Sequence, residues 1–549
     1  MLDHTRIALG AALALAVAGC GADDAGHAGA ADMGRWSADM SGPYDGSFGG
    51  GADAGSDGGS GAPVDDEEPE PEPGDRFEDV GTNPFTRAAH DPFSTFAADV
   101  DTASYDIFVR DVGLYGTLPN PTSVRLEEYV NAFPYAYPTP EPGAEVPFAI
   151  DLDWGAHPMA REGRTLLRVG IQASAPPELV KLPTNLVFLV DVSGSMSTRD
   201  KLPLVQRLLT RALDELDETD TISIVTYAGR VGVRLPPTNA RERDTIAEAI
   251  ANLSAGGSTA GAAGIDLAYA QAEAGFVEGG FNHVVLCTDG DFNVGASTDD
   301  ALVELIEEKR ETGVTPTALG FGRGNLNDAM MERVSNAGNG IYSVIASEAH
   351  ADRYASESLL QTITFVAKDM KIQVEFNPEH VEGYRLLGYE NRAIADDDFR
   401  NDVVDAGEVG AGHRVTALYE VVLAGDALPE VEGAPIVEGE PVEGEREVAA
   451  GDIVLVKVRW KERTASAEDP AMETAATLAP TDLQSELVDP DTRFASAVAA
   501  LAEILKGSPF ADEGDLDAIE ETFGAQASRD ERRAELAELF RTARGLLGR

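Results

Sequence analysis

The chain has 549 residues, and its 96 Asp and Glu outnumber 42 Lys and Arg to give a formal net charge of −54. So acidic a surface repels phosphate backbones, which excludes nucleic-acid binding through a basic face and favours cations as partners. The hydrophobic fraction of 43% supports ordinary globular cores and excludes wholesale disorder. Two cysteines, Cys20 and Cys287, exclude a disulfide framework or a cysteine-ligated zinc.

Arg6 precedes an apolar run from Ile7 to Ala18. The run is too short to cross a bilayer as a mature helix but suits the apolar region of an export signal. It ends in Val17-Ala18-Gly19-Cys20, which resembles a bacterial lipobox. That resemblance implies that residues 1–20 are a lipoprotein signal peptide, with Cys20 lipidated as the mature N-terminus. Gly21 and Ala22 follow with no Asp after the cysteine, which by resemblance to enterobacterial sorting rules implies the outer membrane. No later stretch holds 18 consecutive apolar residues, so no membrane-spanning helix is expected. Residues 21–75 contain 14 Gly, 14 Asp plus Glu and one Lys or Arg, Arg35. They cannot bury enough surface to offset the entropy of ordering, so 21–82 is expected to be a flexible acidic tether. Its Pro-Glu repeat, Glu68 to Pro73, is expected to be extended.

Residues 83–180 mix aromatic and apolar positions with turn signals and are expected to form a first α+β unit. Its predicted elements are a helix at Val124 to Phe133 and a strand at Leu166 to Ala173. From 181 to 350 strand and helix patterns alternate. Leu186 to Val190, Thr221 to Tyr227, Val284 to Leu286 and Val314 to Leu319 are apolar or β-branched runs. Such runs mark strands buried on both faces. Leu202 to Leu216, Ala247 to Leu253, Ala262 to Ala272, Leu302 to Lys309 and Asp328 to Ala337 have helical spacing. This alternation predicts an α/β fold with a parallel-dominated sheet and helices on both faces. From 351 to 549 the pattern becomes β-rich, with strands at Lys371 to Phe376 and Ile453 to Trp460. It then turns helical at Phe494 to Lys506 and Glu531 to Leu547.

The first chemical signal is Asp191-Val192-Ser193-Gly194-Ser195 at the carboxyl end of the first buried strand of the α/β unit. Gly256-Gly257-Ser258-Thr259 precedes a predicted helix, and Thr288-Asp289-Gly290 ends the strand that contains Cys287. Three loops thus bring carboxylates and hydroxyls to the sheet edge where ligands of open α/β sheets gather. Oxygen-only donors suit a hard cation.

These residues resemble the metal-ion-dependent adhesion site of the von Willebrand factor A domain: D-x-S-x-S, then a distant Thr, then a distant Asp. The resemblance implies a Rossmann-like fold and a metal site of Asp191, Ser193, Ser195, Thr259 and Asp289. It implies Mg2+ as the ion, with Mn2+ or Ca2+ as alternatives. Ser193 and Ser195 would be direct ligands and Thr259 would exchange between direct and water-mediated contact. Asp191 and Asp289 would orient waters and hydroxyls. A partner's Asp or Glu carboxylate would complete the shell. Asp91-Pro-Phe-Ser-Thr-Phe96, Asp99-Val-Asp-Thr-Ala-Ser-Tyr105 and Val124-Arg-Leu-Glu-Glu-Tyr129 resemble bacterial A-domain lipoproteins of the YfbK-like family. So do Leu319-Gly-Phe-Gly322 with Asn325-Leu-Asn-Asp328, Gly388-Tyr-Glu-Asn-Arg392 and Asp405 to His413. The resemblance spans roughly residues 83 to 510.

Other candidates point to structure. Asp99 and Asp101 lack the Gly and terminal Glu of a calcium loop. Asp396 to Asp398 are expected in a solvated loop. His283 and His413 are expected to be structural, and no H-E-x-x-H, nucleophile elbow or phosphate loop occurs. The expected function is a metal-dependent protein-binding module of an envelope lipoprotein, not an enzyme. The alternatives are an architectural envelope protein with a structural metal and, behind it, a metal-assisted hydrolase, for which no general base is visible.

Overall fold

The computed structural model describes residues 74–548, apart from 99, 142–143, 160, 175–181, 258–261, 291–298, 311, 360, 362–364, 405, 439–445, 464, 466–468 and 484–487. Cys20, the tether up to residue 73 and Thr259 therefore lie outside the described residues; the end of the expected tether is instead part of the fold, since Asp75 and Arg76 bond to Gly324, Leu326 and Asp328.

The α/β unit is built on a six-stranded sheet. Its order is Ile341–Ile345, Thr315–Phe321, Phe281–Thr288, Thr184–Asp191, Thr221–Tyr227 and Gly232–Asn239. All pairings are parallel except the last, where Gly232–Asn239 runs antiparallel at the edge. Side chains alternate across the central strand. Leu186, Phe188 and Val190 enter one core with the helix Leu202–Glu215, while Val187 and Leu189 enter the other with Ala262–Ala274 and Asp328–Ala337. Burial on both faces requires an apolar residue at nearly every position, which is why the strand is a continuous apolar run. In Leu202–Glu215 the buried positions Leu202, Val205, Leu209 and Ala212 follow one helical stripe.

The rest of the chain forms two antiparallel sheets. One has the order Thr86–Arg87, Val381–Leu387, Arg414–Leu423, Thr165–Ala173 and Phe148–Ala156. In the other, Phe365–Phe376 pairs with Gly407–Gly410, Phe93–Ala97 and Val454–Glu462, and Met472–Leu478 flanks the last. Strands of the 83–180 segment thus hydrogen-bond to strands of the 351–549 segment, and the α/β unit lies between them in sequence. The two sheets share one core, in which Val169, Ala417 and Tyr419 meet Ile372, Val374, Val456 and Trp460. Face-to-face packing of alternating inward positions makes this a β-sandwich. The opposite face of the first sheet, through Leu166 and Leu418, carries Pro490–Lys506 and Glu531–Leu546 together with Phe108, Tyr129 and Phe133. The β-rich region thus ends in helices, and no helix among the described residues is long and apolar enough to cross a membrane.

Buried ion pairs join the α/β unit to its surroundings. Arg125 reaches Asp328 at 2.7 Å and also pairs with Glu128, and Arg392 spans Asp101 and Glu332 at 2.8 Å each. Asp101 also accepts from the Tyr342 amide at 2.8 Å, the structural role its sequence context suggested.

Candidate metal centre

Asp191 closes the central strand and is fully buried. Its neighbour in the sheet ends at Thr288, because Val190 is in register with Cys287. The two motif loops are therefore adjacent by sheet topology alone. The Ser193 amide donates to Asp191 Oδ1 at 2.7 Å, a turn in which the aspartate caps its own loop. The Thr288 hydroxyl donates to Asp191 Oδ2 at 3.3 Å and accepts from the Gly290 amide at 3.1 Å. Ser193 and Ser195 present hydroxyls 2.9 Å apart. Ser193 and Met196 are buried and anchor the short turn Gly194–Ser197, whereas Ser195 is exposed.

The third loop is tied to the first. The Gly194 amide donates to the Gly257 carbonyl at 3.1 Å, and the Gly256 amide donates to the Val192 carbonyl at 2.7 Å. Gly257 sits at φ +100, a region that L side chains rarely adopt. Thr259 itself is outside the described residues, but its loop is fixed to the D-x-S-x-S turn two residues before it. Gly290, at φ +90, brings its backbone so close to Asn327 that a Cβ would lie 2.3 Å from the Asn327 amide nitrogen. Only glycine fits after Asp289.

Asp289 is fully buried and pairs with Lys201, whose Nζ lies 3.0 Å from Oδ2 and 2.8 Å from Asn325 Oδ1. Burial, with a smaller push from the charge on Asp289, raises the Asp191 carboxyl to about 6, against the lowering effect of hydrogen bonds from Ser193 and Thr288. Asp191 and Asp289 thus share one buried locus with the Lys201 ammonium, and a hard divalent cation would offset further negative charge there. Every candidate ligand is an oxygen. Among the described residues no cluster of three or more His, Cys, Asp or Glu could hold a metal, so any ion here must rely on hydroxyls beside the two carboxylates.

The sequence did not point to Lys201 or Asn325. A lysine at a helix entrance ordinarily faces water, but here Gly322 clears its path: a Cβ on Gly322 would come 2.4 Å from the Lys201 stem. Asn325 lies in the block Asn325 to Asp328, which carries a family resemblance but no chemical motif. The remaining candidates are structural. His283 lies between the Thr315 and Thr317 hydroxyls at 2.7 and 2.8 Å, and burial lowers its pKa to about 3. His413 accepts from the Gly410 amide at 3.2 Å, and Cys287 is buried.

A parallel sheet with one antiparallel edge, layered by helices and carrying D-x-S-x-S at its carboxyl edge, defines a von Willebrand factor type A domain. The family model of that name matches residues 185–363, a von Willebrand factor model matches 71–168, and the model described as Uncharacterized protein YfbK, C-terminal, matches 361–546. The chain belongs to the YfbK family: it is 38% identical over 477 residues to the Uncharacterized protein YfbK of Escherichia coli (strain K12), covering 85% of this chain and 80% of that protein. It is also 30% identical over 186 residues to the human inter-alpha-trypsin inhibitor heavy chain H3, covering 32% of this chain and 21% of that one. Among solved structures, a von Willebrand factor type A protein from Catenulispora acidiphila is 17% identical, with a TM-score of 0.39 over 73% of this chain and 86% of that one. A domains are often metal-dependent adhesion modules and commonly bind a divalent cation.

Proposed function

We propose that the protein is a divalent-metal-dependent protein-binding module of the bacterial envelope, which captures an Asp or Glu carboxylate of a partner. The observation that supports this best is the Ser193–Ser195 hydroxyl pair, 2.9 Å apart, opening to solvent at Ser195 above the buried Asp191 and Asp289. Ser193, Ser195 and Thr259 would hold Mg2+, or Mn2+ or Ca2+ in its place, while Asp191 and Asp289 orient waters and hydroxyls. Neutral direct ligands leave the ion electrophilic, and that chemistry attracts an external carboxylate. Asp191 fixes the turn that aims both serines, so its loss disorders the donor set. Cys20 would anchor the chain by lipid in the outer membrane, and residues 21–73 would hold the folded part off the surface.

Titration calorimetry with Mg2+ on wild type, Asp191→Ala and Ser193→Ala tests the ion site. Capture of envelope proteins in Mg2+ against EDTA tests the partner. The expected result is saturable binding lost in both variants, with capture lost in EDTA and in Asp191→Ala alike. Capture indifferent to both treatments overturns the proposal. The Lys201–Asp289 pair favours a second reading, an architectural protein whose locus is already partly charge-compensated without an ion. That reading expects capture independent of Mg2+.

A further inference from the structure

A cavity of about 360 Å3 lies where the N-terminal helices, the end of the A domain, the turn at 412–414 and the last helix meet. Its volume is within the range of small-molecule sites and equals the liquid volume of roughly a dozen waters. Its lining is charged, and most of the charges are matched. Arg353 donates to Glu535 at 3.2 Å, and Arg532 donates to Glu357 at 3.4 Å. Asp106 accepts from the Thr102 and Ser343 hydroxyls and the Val344 amide at 3.0, 2.8 and 3.3 Å. Its other oxygen lies 3.7 Å from His350 Nε2.

Two donors remain. Arg414 makes no side-chain hydrogen bond or ion pair among the described residues, and its Nε–H is buried without an acceptor. Burial and the nearby Arg532 charge push its pKa below the ordinary arginine value. The Tyr105 hydroxyl, on a side chain with 6% exposure, also has no hydrogen-bond partner among the described residues. It feels the charges of Glu535, Asp106, Arg532 and Arg353, which places it among the cavity's ionised groups. His413, which also lines the cavity, accepts at Nδ1 from the Gly410 amide, so its neutral ring carries its proton on Nε2 and offers a third donor. In a chain with 96 acidic residues a guanidinium finds a carboxylate easily, yet this one meets none among the described residues. Arg414 is only partly buried, so water reaches part of the guanidinium, but its buried Nε–H has no acceptor among the described residues.

We propose that this cavity binds a small oxyanion, a carboxylate or phosphate group, seated against Arg414 and Tyr105. The guanidinium supplies paired N–H donors in the geometry that planar or tetrahedral oxyanions accept. Tyr105 and His413 would orient the remaining oxygens. The cavity joins all three segments of the fold, so a bound anion would fasten the A domain to its scaffold. This inference is independent of the metal centre.

The test is titration calorimetry and thermal melting of the full-length protein in EDTA, at ionic strength held constant with sodium chloride. Inorganic phosphate, acetate and succinate are the probes. Saturable binding with a rise in melting temperature supports the site: phosphate alone assigns phosphate chemistry, and acetate or succinate alone assigns carboxylate chemistry. Arg414→Gln is expected to bind at least about tenfold more weakly, and to melt no lower than wild type without anion, because it removes an unpaired charge. Tyr105→Phe deletes only a hydroxyl with no partner, so it should fold normally and bind several-fold more weakly. No response to any probe beyond the chloride control overturns the proposal, as does wild-type binding in both variants.

Discussion

Lys201 Nζ stands 3.0 Å from Asp289 Oδ2, with both side chains almost wholly buried, so the candidate metal centre carries its own internal cation. That ammonium repels an incoming divalent ion and also holds the carboxylate in place when no ion is bound. Lys201→Met therefore separates two effects. Without metal it takes away the ammonium partner of a buried carboxylate, and stability in EDTA is expected to fall by about 3 kcal/mol. With metal it relieves repulsion, and Mg2+ affinity is expected to rise about tenfold, equivalent to about 1.4 kcal/mol. Melting in EDTA and calorimetric titration measure the two terms, and a variant that loses both stability and Mg2+ affinity contradicts the argument.

Legibility followed burial. Leu186 to Val190 and Val284 to Leu286 were readable because strands covered on both faces leave no room for polar residues. The strand Gly232–Asn239 was not, since it contains Pro236 and Pro237, which sequence rules set against strands. It tolerates them as an antiparallel edge, where one row of amides needs no partner. The pairing of Thr165–Ala173 with Arg414–Leu423 joins residues about 250 apart, and no local periodicity encodes it. In the candidate site, Asp191, Ser193, Ser195 and Asp289 could be picked out because each sits at or just beyond a strand end, and the structure brings them to one sheet edge. Lys201 depended on the close approach of Gly322, a tertiary fact with no motif of its own.

His283 gives the fold a specific acid sensitivity. Its ring bridges two threonine hydroxyls inside the parallel sheet, and burial lowers its pKa from 6.5 to about 3. Between those values the unfolded chain binds a proton that the native chain refuses. The neutral ring's stabilising contribution is whole above pH 6.5 and is lost as pH falls toward 3, by about 1.4 kcal/mol per pH unit. Urea unfolding of wild type and His283→Gln between pH 7 and pH 4 should show the stability difference shrinking as pH drops. A difference constant with pH would mean that His283 does not titrate on unfolding.

Arg125 links the N-terminal helices to the A domain through Asp328, 2.7 Å away, and it also pairs with Glu128. All three side chains are nearly inaccessible to water. Arg125→Met leaves these carboxylates without their guanidinium and is expected to cost about 3–5 kcal/mol by urea denaturation. Arg125→Lys should rescue little, because a single ammonium cannot replace a planar fork that serves Glu128 and Asp328 together. Full rescue by lysine would show that charge alone, without fork geometry, holds the junction.

Asp75 holds the loop that carries Asn325. Its Oδ1 accepts from the Gly324 and Leu326 amides at 2.6 and 3.1 Å, and its Oδ2 lies 2.7 Å from Arg110, which donates to the Gly322 carbonyl at 2.7 Å. Backbone bonds of Arg76 to Leu326 and Asp328 reinforce the clasp. The same loop reaches Lys201 through Asn325, so a contiguous run of polar contacts leads from Asp75 to Asp289. In Asp75→Ala the two amides lose their acceptor, and deuterium exchange over residues 322–328 is expected to accelerate at least about tenfold, equivalent to the loss of about 1.4 kcal/mol of protection. Exchange in Gly232–Asn239, at the opposite sheet edge, should stay unchanged. Acceleration in both segments would show general destabilisation, whereas the contacts place the effect in the loop beside the metal centre.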